Sequence, residues 1–183
     1  NRPDDVVYGT SGTAVPGYEL RCVNEDDAEA KPGEIGELLV RGDSAADGYW
    51  NQRHKSRATF EGEWTRTGDK YEVAQNGRYI YCGRTDDMFK VSGIWVSPFE
   101  VGQALISHPA VLEAAVVAAQ DGDGLEKPKA FVVLHEGEGA TAIRALQDYV
   151  KEKIGNWKYP RWIKIVDDLP KTATGKIQRF KLK

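Results

Sequence analysis

Hydrophobic positions follow two regimes along this chain, and the change between them falls near Gly83. From Tyr18 to Asn24 the residues alternate, with Tyr18, Leu20 and Cys22 on one face and Glu19 and Arg21 on the other. A period of two over that length predicts a half-buried strand. Lys31-Pro32-Gly33-Glu34 reads as a turn, Glu37 to Arg41 as a second strand, and Gly42 to Gly48 as a loop closed by Tyr49-Trp50. A short helical stretch follows over Asn51 to Phe60. Thr67-Gly68-Asp69 is expected to end a strand at a tight turn. Beyond it, Tyr71 to Ala74 and Tyr79 to Cys82 form two strands joined by the hairpin signal Asn76-Gly77. This half is mostly β, with many glycine turns, and predicts a small barrel or twisted sheet.

Past Gly83 the spacing lengthens. Met88 to Val91 and Ile94 to Val96 read as short strands flanking Ser92-Gly93. Ser97 suits an N-cap, Pro98 the first helical position and Glu100 the far side of a capping box. The helix they open, Pro98 to Ser107, turns Val101, Ala104 and Leu105 inward. Val111 to Ala119 and Lys129 to Leu134 are apolar strands separated by Asp121-Gly122-Asp123-Gly124. Ala142 to Ile154 carries Ile143, Leu146, Val150 and Ile154 at helical spacing, and Trp162 to Val166 is a last strand. The fold class is therefore α+β, a small β-rich, barrel-like subdomain followed by a compact α+β domain. The boundary is placed between residues 85 and 86.

Composition narrows the class of protein. The 183 residues are 40% hydrophobic and 29% charged, ordinary values for a globular chain. No apolar run is long enough to span a bilayer, and Asn1-Arg2-Pro3-Asp4-Asp5 is not a signal peptide. Cys22 and Cys82 form no CxxC pair, so a reduced, cytoplasmic protein is expected. The three histidines lack metal-ligand spacing, and no metal site is expected. Charge is uneven. Residues 151–183 hold ten Lys or Arg against three acids, and the remaining 150 residues hold 15 against 25. A basic tail on an acidic body suggests a polyanionic ligand, either nucleic acid or a phosphorylated small molecule.

Two places carry candidate chemistry. Lys176 follows Gly175 in a hydroxyl-rich loop, where a mobile ammonium can reach into a neighbouring site and offset negative charge on a phosphate or carboxylate. The alternative is a solvated basic tail. The Gly-x-x-x-x-Gly-Lys-[Ser/Thr] frame of a Walker loop is absent. Asp69 can accept hydrogen bonds from ribose hydroxyls, with Arg84 past the next hairpin meeting the same sugar or a phosphate. The alternative there is a turn-capping Asp. The stretch Gly83 to Val101, likewise, is either part of a site or a solvated turn before an ordinary helix.

Four motifs in order resemble one family. They are Gly36-Glu37-Leu38-Leu39-Val40-Arg41-Gly42 running to Gly48-Tyr49-Trp50, then Trp64-Thr65-Arg66-Thr67-Gly68-Asp69. Gly83-Arg84-Thr85-Asp86-Asp87 follows with Ser92-Gly93 and Pro98-Phe99-Glu100, and last Leu169-Pro170-Lys171 to Gly175-Lys176-Ile177-Gln178-Arg179. The chain resembles the carboxy-terminal part of an acyl- or aryl-CoA synthetase of the adenylate-forming superfamily. Arg2-Pro3-Asp4-Asp5, Tyr8 to Gly12, Val15 to Glu19 and Gly93 to Pro98 are most similar to the benzoate- and hydroxybenzoate-CoA ligases.

The resemblance implies two steps, in which an aromatic carboxylate and Mg-ATP give acyl-AMP and pyrophosphate, and the thiol of coenzyme A then displaces AMP. It implies that Asp69 binds the ribose hydroxyls of ATP and acyl-AMP, with Arg84 beside it, and that Asp86 is the hinge of a mobile lid over 86–183. It implies that Lys176 contacts the carboxylate and α-phosphate during adenylation and is open to a lysine acetyltransferase and deacetylase. Lys90 to Gly93 would face the site after rotation, with Gly93 lining the pantetheine path and Trp157, Lys158 and Arg161 meeting the CoA nucleotide. The family's glycine-rich phosphate loop and most of the acid pocket would lie upstream, so residues 1–85 would end a larger amino-terminal domain and this piece alone would be inactive in adenylation. Two other readings stand beside this one: an adenylate-forming enzyme whose acceptor is a carrier-protein thiol, and a non-catalytic nucleotide- or nucleic-acid-binding module.

Overall fold

The computed structural model describes residues 3–138 and 143–183. Arg2 and Ala142, which the sequence reading uses, lie outside the described residues. The chain divides into two compact units, Asn1–Asp86 and Asp87–Lys183. The α+β class read from the sequence is borne out, with a β-rich first unit and a mixed second one.

The first unit is a five-stranded antiparallel sheet built from β1 (Tyr18–Val23), β2 (Ile35–Gly42), β3 (Phe60–Glu61), β4 (Trp64–Val73) and β5 (Tyr79–Arg84). Its order is β1-β2-β4-β3, with β5 pairing the far end of β4. The seven-residue helix α1 (Arg53–Thr59) buries no side chain. Cys22, Val23, Leu38, Leu39 and Cys82 supply the apolar interior. Gly36 is needed here. A Cβ at that position would lie 2.5 Å from the Val23 carbonyl oxygen and 2.8 Å from the Cys22 sulfur, so only glycine lets β1 and β2 close over the thiol. The Arg66 guanidinium holds three carboxylates, bonding Glu61 at 2.8 Å, Glu37 at 3.0 Å and also Asp27. Glu61 first and Asp27 next raise its pKa well above the ordinary guanidinium value.

One expectation fails in this unit. Thr67-Gly68-Asp69 does not end a strand. It lies inside β4, which continues unbroken from Trp64 to Val73. Gly68 does take a left-handed conformation, φ +70°, but the sheet absorbs it as a bulge because β4 is paired on both sides.

The second unit opens on a hairpin of β6 (Phe89–Val91) and β7 (Ile94–Val96), turned by Ser92 and Gly93 at φ 50° and 82°. Two successive left-handed residues match the right-handed twist of a tight hairpin. Helix α2 (Pro98–Ile106) is capped by the Ser97 hydroxyl, which accepts the Glu100 amide at 3.0 Å. Strands β8 (Val111–Gln120) and β9 (Glu126–Leu134) pair antiparallel, and β10 (Trp162–Ile165) joins β9 in parallel after helix α3 (Ile143–Ile154).

This three-stranded sheet is covered on both faces. Val116, Ala130, Val132 and Ile163 pack with Val101, Leu105, Leu146 and Val150 of the helices, and with Phe89, Val91 and Val96 of the hairpin. Ala115, Val117, Phe131 and Val133 turn the other way, onto Leu169, Ile177 and Leu182 of the terminal segment. Double burial is why β8 and β9 read as continuous apolar runs rather than alternating ones. Two helices are tied at the end of α2, where Tyr149 donates to the Ser107 carbonyl at 3.0 Å and the Lys153 ammonium lies 2.7 Å from the Ser107 hydroxyl. A cation there meets the negative end of the helix.

Ile143, which shares the helical spacing of Leu146 and Val150, is 43% exposed, because it begins α3 one turn before Leu146 enters the core. Leu146→Ala is therefore expected to cost about 2–5 kcal/mol through transfer and cavity terms. Ile143→Ala should shift stability by less than about 0.5 kcal/mol. Urea unfolding of the two variants, compared at equal slope, checks the contrast.

Candidate nucleotide and acyl-transfer site

Asp69 and Arg84 are brought together by the bulge in β4. Against β2, Leu39 pairs with Arg66 and Glu37 with Lys70, so residues 67–69 stand opposite Leu38 alone. The Thr67 hydroxyl donates to the Leu38 carbonyl at 2.8 Å and accepts the Asp69 amide at 3.1 Å. Gly68 offers its carbonyl to the Thr85 amide at 2.8 Å. On the other side Asp69 pairs in register with Arg84. The Arg84 guanidinium donates through Nη1 to the Thr67 carbonyl and to Asp69 Oδ1, each at 3.0 Å. Burial works against the Arg84 charge, but the bond to Asp69 and nearby negative charge outweigh it and hold its pKa above the ordinary value. Both side chains stay reachable, at 30% exposure for Asp69 and 48% for Arg84.

Among the described residues only Arg84 bonds the Asp69 carboxylate, and it uses one oxygen. The second oxygen can accept from a hydroxyl of a bound molecule. Glycine suits position 68 by its φ of +70°, and a Cβ there, 2.9 Å from Arg84 Nη2, would push the guanidinium from its present place. The sequence pointed to Asp69 and Arg84. It did not reveal that the Thr67 hydroxyl shapes the bulge, although a hydroxyl two residues before an Asp is the signal of such a local bond.

Asp86 is exposed, in the turn that precedes β6, and is the last residue of the first unit. In the second unit Lys176 closes a tight hairpin. The Thr172 amide donates to the Lys176 carbonyl at 2.8 Å, the Gly175 amide to the Thr172 carbonyl at 2.9 Å, and the Lys176 amide to the Thr172 hydroxyl at 3.1 Å. Gly175 supplies the left-handed step at φ 80°. The backbone is thus pinned while the Lys176 side chain stays exposed, and among the described residues no group bonds its ammonium. Such a lysine is a point charge on a flexible stem, suited to meeting an anionic group.

Lys90 and Gly93 lie on the β6–β7 hairpin, both exposed, with the Lys90 ammonium 4.7 Å from the Trp95 ring centroid. Trp157 is 63% exposed between α3 and β10. Its basic neighbours are less available than the sequence suggests. The Lys158 ammonium lies 2.8 and 2.7 Å from the two carboxylate oxygens of Glu100, and the Arg161 guanidinium stacks 4.7 Å from the Tyr159 ring centroid. Among the described residues there is no group of three or more His, Cys, Asp or Glu able to hold a metal ion.

Residues 100–176 match the AMP-binding enzyme C-terminal domain. It is 60% identical over its whole length to the 4-hydroxybenzoate-CoA/benzoate-CoA ligase of Rhodopseudomonas palustris and 61% identical to the benzoate-CoA ligase of Thauera aromatica. It spans about a third of each, 34% and 35%. A crystal structure of an anthranilate CoA ligase in complex with anthranoyl-AMP superposes on all of this chain with a TM-score of 0.94 at 52% identity, over 36% of that protein.

The bulge can be tested directly. Thr67→Val removes the hydroxyl at nearly constant volume and leaves the Leu38 carbonyl and Asp69 amide without that partner. The expected loss is about 1–2 kcal/mol of stability and faster amide exchange at Asp69. Thr67→Ser should keep most of both.

Proposed function

We propose that this chain is the carboxy-terminal part of an AMP-forming aryl-CoA ligase, which activates benzoate or a related aromatic acid as acyl-AMP and passes the acyl group to coenzyme A. The observation that carries this reading is the placement of two exposed loops on opposite faces of one buried sheet. The Lys176 hairpin is rooted in the terminal segment, through Ile177, and the Lys90–Gly93 hairpin in the helix-side core, through Phe89, Val91 and Val96. A domain with two working faces suits a reaction with two incompatible needs. Activating a carboxylate calls for positive charge beside the carboxylate and α-phosphate, which Lys176 would supply. Thiol attack calls for that charge to leave and an approach path to open, which the opposite face, with Gly93, would border.

In this reading Asp69 uses its open oxygen to hold a ribose hydroxyl, and Arg84 orients that carboxylate. Asp86 is the hinge about which residues 87–183 turn between the two steps. Trp157 offers its exposed ring to the CoA nucleotide. Mg2+ enters with ATP, and none of this chain's residues is assigned as its ligand. The exposed Lys176 ammonium is also open to an acetyltransferase and deacetylase, and acetylation would cancel its charge. The buried thiols of Cys22 and Cys82, neither in a disulfide, suit a reducing, cytoplasmic setting.

Binding of nucleic acid by the basic segment is disfavoured by how its cations are used. Lys151, Lys158, Lys171 and Arg179 each pair with a carboxylate, and so do not form an open stripe along a backbone. A carrier-protein acceptor remains distinguishable by assay.

The deciding measurement is thioester formation by the full-length protein that carries this chain, offered benzoate, ring-substituted benzoates and fatty acids with either CoA or a carrier protein. Benzoate-type acids with CoA are expected to react. Lys176→Ala should lower adenylation by about 100-fold or more while supplied benzoyl-AMP is still converted. Preference for aliphatic acids would overturn the aryl assignment, and no thioester from any acid would overturn the ligase reading.

A further inference from the structure

The Lys176 hairpin has a second anchor besides its own backbone bonds. Lys171 stands across the hairpin from Ile177 in an isolated bridge, five residues before Lys176. Its ammonium lies 2.8 Å from Glu113 Oε2 of β8 and 3.1 Å from Asp168 Oδ1. Glu113 belongs to the row Glu113, Ala115, Val117, whose apolar members face the terminal segment, because side chains two apart share a face of a strand. A register shift between Val111 and Glu113 starts this row at a bulge. So one leg of the hairpin is held by Ile177 packing on this face of the sheet, and the other by a charged bond from Lys171 to β8.

We propose that Lys171 is a positioning residue for adenylation. By tying the root of the hairpin to β8 through Glu113, it sets the point from which the Lys176 ammonium reaches its target. The inference rests on the reading of Lys176 given above. The side-chain exposures are 32% for Lys171 and 34% for Glu113. Glu113 first and Asp168 next hold the Lys171 ammonium above its ordinary pKa. Lys171, and after it the Leu169 amide, keep the Asp168 carboxyl below the usual carboxylate range.

A surface ion pair of this kind contributes little to global stability. What it can do is fix the root of a hairpin whose own bonds are internal to residues 172–176. The Lys176 ammonium is held by no protein group, so its reach is set by where the backbone at Gly175 and Lys176 is fixed. With Lys171 neutralised, the hairpin would pivot on Ile177, and a displacement of about 1 Å at a charge that must meet a transition state costs up to roughly 100-fold in rate.

The test separates the two half-reactions in the full-length protein. Benzoate-dependent ATP–pyrophosphate exchange reports adenylation, and CoA thioester formation from supplied benzoyl-AMP reports the second step. Lys171→Met and Glu113→Gln should each lower exchange by about tenfold or more. Both should leave conversion of supplied benzoyl-AMP at the unmodified rate, which also shows that the variants are folded. Lys171→Arg, whose fork can bridge both carboxylates, should restore most of the exchange. Exchange lost in Lys176→Ala but kept in Lys171→Met overturns the clamp alone. Exchange that survives Lys176→Ala overturns the reading of Lys176 and the clamp with it. A parallel fall of both half-reactions in Lys171→Met also overturns the proposal, since the residue would then be supporting the fold at large.

Discussion

Covering the β10-β9-β8 sheet on both faces is the constraint from which most of the second unit follows. Both faces of this three-stranded sheet are apolar, so both have to be covered. The helices take one face, so the terminal segment has to take the other, and Leu169, Ile177 and Leu182 are the residues that do so. Once Ile177 is buried, Lys176 beside it is carried to the surface on a short hairpin. Its exposure is a consequence of its neighbour's burial. The β6–β7 hairpin is placed by the same logic from the other side, through Phe89, Val91 and Val96.

The first unit answers a different need with a comparable device. Regular pairing along β4 would point alternate side chains to alternate faces and bond every backbone group to a neighbour. The bulge at Thr67-Gly68-Asp69 breaks that rule at one place and re-aims a carboxylate, while the Thr67 hydroxyl, the Thr85 amide and the Arg84 guanidinium occupy the groups the ladder leaves behind. Site geometry here comes from a defect that the surrounding strands fully support, as bulges beside functional sites commonly are.

Much of this was legible in the residue order, and the exceptions share a cause. The Ser92-Gly93 turn, the Ser97 cap with Pro98, the Gly175 step and the apolar runs of β8 and β9 depend on interactions a few residues long, so pattern and turn chemistry locate them. Thr67-Gly68-Asp69 was misplaced because a left-handed glycine serves a terminal turn and an internal bulge equally well, and only pairing with both β2 and β5 decides between them. Lys158 read, with Trp157 and Arg161, as a contact of the CoA nucleotide, since nothing near it in sequence announces Glu100, fifty-eight positions away. Ile143 fits the helical spacing of Leu146 and Val150, yet the spacing does not say how far along α3 the core extends.

The residue order alone established the α+β class, the turns and caps, and the family motifs that single out Asp69, Arg84 and Lys176, because local sterics, side-chain period and residue chemistry are written directly in it. The tertiary structure alone decided which carboxylate each cation meets, that Asp69 keeps one oxygen open, and that the two hairpins root on opposite faces of one sheet. Those outcomes are pairings between residues far apart in the chain, chosen by burial and by which opposite charges the packing brings within reach. No window of the sequence is long enough to contain both partners.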